Sequence, residues 1–120
     1  DEIIGDFGLI GGGAAGLEMD CMNTLLGTPP HALRLATSEN HTQQVLLVNE
    51  EFGVVPIALG GDQNERVRAD IVFYETASGG AVFSIGSISW CGSLLVNESD
   101  NNISRITENV LQRFMKIQNF

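Results

Sequence analysis

The chain has 120 residues, enough for one domain with one core and too few for two. Apolar residues make up 43% and charged residues 18%, which excludes a disordered polar chain, and no apolar run reaches membrane-spanning length. Six Lys and Arg against fifteen Asp and Glu give a formal charge of −9, a field that repels polyanions and excludes nucleic acid as a natural partner.

The first residues, Asp1 to Asp6, carry neither Met nor a basic run. No signal peptide is expected, and residues 1–120 read as one domain of a longer cytoplasmic chain. Residues 1–16 are rich in glycine, which implies a backbone that turns sharply or approaches something closely. Leu17 to Leu26 is predicted as a short helix, stopped by Gly27-Thr28-Pro29-Pro30. Ala32 to Thr37 alternates like a half-buried strand. Gln44 to Val48 is a short apolar run that fits a strand. Phe52 to Leu59 is broken by Gly53 and Pro56 and fits an edge strand or extended loop. Gly60 to Glu65 is a polar loop.

The clearest local pattern follows. Ala69–Glu75 and Ala81–Trp90 are both β-rich and are joined by Thr76-Ala77-Ser78-Gly79-Gly80, which predicts a β-hairpin. In its second strand Val82, Ser84, Gly86, Ile88 and Trp90 share one face, and Phe83 and Ile85 the other. The last element is a helix from about 102 to 117, capped by Asp100, Asn101 or Asn102. Ile103, Ile106, Val110, Phe114 and Ile117 recur at steps of three and four, forming one apolar stripe to pack on the sheet. No helical pattern lies between Glu39 and Asp100. The fold class is therefore α/β, with a mostly antiparallel sheet.

Gly11-Gly12-Gly13-Ala14-Ala15-Gly16 satisfies the G-x-G-x-x-G pattern, with Phe7–Ile10 as a strand before it and Leu17–Met22 as a helix after it. Glu39 follows about 20 residues on, where the dinucleotide fingerprint places the acid that binds a ribose. Gly11, Gly13, Gly16 and Glu39 are thus the cofactor-binding candidates of an alternative reading, an FAD- or NAD-binding half-domain. Against it, Gly5, Asp6 and Gly8 interrupt the first strand, and the second β-α-β crossover is missing. A stand-alone interaction module is a third reading. His31 and His41 form no ligand set, and Ser84, Ser87 and Ser89 lack a nucleophile-elbow context. Cys21 and Cys91 stand far apart with no metal-ligand spacing, and read as buried, reduced thiols. No catalytic or metal-binding residue is assigned.

Residues Gly79 to Leu94, with Trp90-Cys91-Gly92-Ser93 at their end, and Asp100 to Phe114 together resemble the C-terminal end of the large (beta) subunit of bacterial N,N-dimethylformamidases. Arg68–Glu75 fits the preceding strand of that pattern, and Ile4–Gly8 and Ala15–Asp20 are similar to an earlier glycine-rich stretch. The resemblance implies a glutamine-amidotransferase-like α/β domain in an enzyme that hydrolyses small N-substituted amides. It implies a mononuclear iron held by tyrosines and a glutamate, a set this chain does not supply, so iron belongs to the parent enzyme and no cofactor to this chain. It also implies a structural and assembly role, with the active site upstream of Asp1. The partners implied are the remainder of the large subunit, a small subunit and further copies of the chain, with no membrane.

Overall fold

The computed structural model describes residues 2–45 and 60–116. Three strands form one sheet in the order β1-β2-β3: β1 (Leu33–Thr37), β2 (Asp70–Glu75) and β3 (Ala81–Ser84). Both pairings are antiparallel. The β2–β3 hairpin is set by its turn. The Thr76 N–H donates to the Gly80 carbonyl at 2.7 Å, and the Thr76 hydroxyl accepts from the Gly80 N–H at 3.1 Å. Gly79 sits at φ 81°, a left-handed conformation that glycine adopts without penalty. The resulting register places Phe73 opposite Phe83 and Tyr74 opposite Val82.

The hairpin is where the sequence pattern puts it, but β3 is shorter than expected. It ends at Ser84 rather than running to Trp90. Gly86 is the reason: it sits at φ 65°, and a Cβ there would lie 2.6 Å from the Asp70 carbonyl oxygen. The chain leaves the sheet at this point, turns through Ser87, and enters a one-turn helix, α1 (Trp90–Ser93). Together with a 3-10 segment at Val96–Ser99, this corrects the expectation of no helical structure between Glu39 and Asp100.

The long helix, α2 (Asn102–Phe114), starts where a cap residue allows it to. The Asn101 side chain accepts from the Ser104 N–H at 2.8 Å, and its amide donates to the Val96 carbonyl at 2.7 Å. Its apolar stripe points at the core. Ile103 is fully buried and Ile106 packs beside it, against Ala14, Ile71 of β2 and Trp90 of α1. From β3 and the residue after it, Phe83 and Ile85 reach the same cluster, as their shared face requires. The stripe fades along the helix, and Phe114 is 39% exposed. Ile117 lies outside the described residues, as do Leu46–Val48 and Phe52–Leu59, where two strands were expected.

Two further expectations are corrected. Leu17–Leu26 is not a helix; only Thr24–Leu26 makes a 3-10 turn, closed by Gly27 at φ 104°. The backbone of this segment is taken by long-range partners instead. The Leu17 N–H donates to Ser89 Oγ, the Asp20 N–H to the Gly86 carbonyl, and the Met22 N–H to Asp70 Oδ2. An i→i−4 ladder cannot form while those donors are engaged elsewhere. Second, β1 is mostly exposed rather than half-buried. Leu33 and Leu35 face solvent among the described residues, and a register shift between Arg34 and Ala36 breaks the alternation.

Candidate functional site

The glycine-rich segment is a loop laid across three buried serines. Ser87, Ser89 and Ser93 follow β3 and are 5%, 0% and 0% exposed. Ser93 Oγ donates to the Phe7 carbonyl at 2.7 Å, and Ser87 Oγ to the Leu17 carbonyl at 2.6 Å. Ser89 Oγ accepts from the Leu17 N–H at 3.0 Å, so both polar groups of Leu17 are clamped. The loop also crosses itself: a Cβ on Gly11 would lie 3.2 Å from the Gly16 Cα. Glycine density here thus follows from close backbone approach. Glu18, just past the clamp, is exposed and held at φ 48°.

This loop forms one wall of a cleft of about 570 Å³. Gly11, Gly12 and Gly13 line it on one side, and Thr37 to His41, at the end of β1, line it on the other. Ile71, Ile85 and Trp90 form an apolar floor. Ser38 Oγ stands 2.6 Å from His41 Nε2 and accepts the Ala69 N–H at 2.8 Å. The turn between them passes through Asn40 at φ 58°, and Gly61 packs so closely that a Cβ on it would meet the His41 Cβ. Burial lowers the His41 pKa, favouring the neutral imidazole.

A second polar centre lies behind β2. The Asp70 carboxylate is buried and accepts from Arg68 Nε at 3.1 Å and from the Met22 N–H at 2.8 Å. Burial alone raises its pKa. Hydrogen bonds from Thr37, Arg68 and the Met22 backbone, with the Arg68 charge, outweigh that and hold it below the usual carboxylate range. The hydrogen bond to Asp70 and the negative charge around it raise the Arg68 pKa. Asp70 is fully engaged by the protein, so its role is to fix residues 20–22 against the sheet.

The cofactor-binding candidates divide. Gly11, Gly13 and Glu39 do meet on the cleft, but Gly16 does not line it and its N–H is turned to Ser87 Oγ. Phe7–Ile10 is not a strand and no helix opens after Gly16, so the βα unit that aims a helix N-terminus at a pyrophosphate is not formed. His31 is structural: its Nε2 is 3.0 Å from the Glu75 carbonyl, and its ring meets Tyr74 edge-on. Cys21 is half-buried and Cys91, on α1, is exposed, which corrects the reading of two buried thiols. The Ser38–His41 pair was missed, although Ser-x-x-His across a strand end was the signal that could have found it.

A Tyr/Tyr/Glu iron centre does not fit these residues. The chain has a single tyrosine, Tyr74, and it is taken up by the hairpin and His31. Among the described residues no three His, Cys, Asp or Glu side chains gather to hold a metal, and no helix is long and apolar enough to cross a membrane.

A Gly-Gly hairpin, an earlier glycine-rich stretch and a closing helix are the features on which the resemblance to the dimethylformamidases rested. The comparison of sequences agrees: the chain belongs to the N,N-dimethylformamidase beta subunit-like, C-terminal family, whose model matches residues 2–103. The N,N-dimethylformamidase beta subunit of Paracoccus aminophilus is 48% identical over 116 residues, covering 97% of this chain. That of an Alcaligenes species is 45% identical over 116 residues, again 97% of this chain. The chain spans 15% of the length of each of these relatives.

Proposed function

We propose that this chain is the C-terminal domain of an amide hydrolase of the dimethylformamidase type, in which it serves folding and assembly. The enzyme hydrolyses a small N-substituted amide with water, giving an amine and a carboxylate. The observation that carries the reading is identity of 48% and 45% to two dimethylformamidase beta subunits across nearly the whole chain. The metal centre would be built by sequence outside these 120 residues, since the chain supplies one tyrosine where the implied donor set needs two. The domain would be glutamine-amidotransferase-like, with the remainder of the large subunit and a small subunit as its partners, in the cytoplasm.

The surface supports an assembly role. Leu25 and Leu26 are 92% and 84% exposed, and Leu9, Ile3, Leu95 and Met115 are each more than 70% exposed. Scattered apolar exposure is ordinary, but this many large side chains on so small a domain suits a surface that other sequence covers. Co-expressing the chain with the preceding part of the subunit tests this. The two pieces should co-purify and regain formamide hydrolysis together, with neither active alone. Turnover of N,N-dimethylformamide by the chain alone would refute the reading.

A further inference from the structure

The backbone amides of Gly11 and Gly12 make no hydrogen bond among the described residues, and the two glycines form a tight turn. They line the same cleft as Ser38 and His41. Gly11 and Gly12 are both left-handed, at φ 69° and 80°, a turn geometry that glycine adopts without penalty. Neither the folding role nor an iron centre elsewhere accounts for these features.

We propose that Ser38 and His41 are a nucleophile and general base that accept an acyl group from a small ester in this cleft. The geometry is that of an activated hydroxyl. Ser38 Oγ accepts from the Ala69 N–H and stands 2.6 Å from His41 Nε2, which accepts the hydroxyl hydrogen in the Nδ1-protonated tautomer. The imidazole is oriented by the tight Asn40 turn and by Gly61 behind it. Its burial keeps it neutral, the form a base must have at neutral pH.

In the reaction Ser38 Oγ bonds to the acyl carbon and its proton passes to His41 Nε2. The carbonyl oxygen gains negative charge in the transition state, and the Gly11 and Gly12 amides of the facing wall are the donors proposed for it. As the ester C–O bond breaks, the proton moves from His41 to the departing alkoxide, leaving an acyl-Ser38 and a free alcohol. No oxidant, metal or second substrate is needed. The cleft is large enough for a small ester, and its floor of Ile71, Ile85 and Trp90 suits an apolar acyl chain. This inference stands apart from the amide-hydrolase reading: it uses no residue of an iron centre, and either can fail without the other.

The test is acetylation of the full-length protein by p-nitrophenyl acetate, read by peptide mass mapping so that thiol and lysine labelling is separated from Ser38. One acetyl group should appear on Ser38, faster as pH rises and levelling off at a pH below that of an ordinary imidazole. Ser38→Ala also removes the acceptor for Ala69, so His41→Gln, which leaves that hydrogen bond in place, is the deciding variant. It should slow acetylation of Ser38 by about a hundredfold. Absence of label on Ser38, or an equal labelling rate in His41→Gln, would overturn the proposal.

Discussion

Asp70 shows how one residue can tie several segments together. It lies in β2, yet it holds the Met22 backbone, the Arg68 side chain and the Thr37 hydroxyl at once. Removing Arg68 would leave a buried carboxylate without its counter-charge. Arg68→Ala is therefore expected to destabilise the fold by about 3–5 kcal/mol, measured by urea denaturation. The folded-state pKa of Asp70 lies below its unfolded value of 3.8, so its contribution is complete above that value and disappears as pH falls through the folded pKa. Stability should fall on acidification below about pH 4, and the fall should be shallower in Asp70→Asn. Gly86 is a second such point. Gly86→Ala forces a Cβ into the Asp70 carbonyl at a left-handed φ, and a loss of at least about 2 kcal/mol is expected in the same assay. None of this was legible in the sequence, because Asp70 reads as an ordinary polar position in a β-rich run until its distant partners are known.

At the scale of elements, local patterns served where the backbone satisfies itself and failed where side chains intervene. α2 was legible because its i, i+3, i+4 stripe and its Asn cap act within one segment. The hairpin was legible because a Gly-Gly connection closed by Thr76 is also local. The helix expected at Leu17–Leu26 did not form because Ser87, Ser89, Gly86 and Asp70 capture its backbone across large sequence separations. Propensity cannot see such partners. The glycine pattern was read correctly as close approach, but what approaches is a row of buried serines and the loop itself. Ser89→Ala would leave the Leu17 N–H without its acceptor, at an expected loss of about 1–3 kcal/mol. Faster hydrogen exchange at Leu17, with α2 amides unchanged, would show that the loss is confined to the loop.

Across the whole molecule, α2 and the glycine loop pack on one side of the described sheet, residues 20–29 lie beside β2 and β3, and β1 stays mostly exposed. Many leucines stay exposed, among them Leu9, Leu25, Leu26 and Leu95. The amphipathic helix and the alternating strands announced the layers, whereas the cleft arises only when the β1 end and the glycine loop meet in space. Steric disruption of that seam should be felt by the longer enzyme proposed to carry this domain. Gly5→Val, at φ 64° with Ala14 and Ile103 against it, is expected to unseat the loop from α2 and to lower subunit solubility and activity together. The most direct measurement is dimethylamine release from N,N-dimethylformamide by the full-length protein carrying this domain. The account predicts dimethylamine and formate in equal amounts, lost when residues 1–120 are deleted. No amine release from the intact protein, with N-substituted formamides of any size, would contradict it.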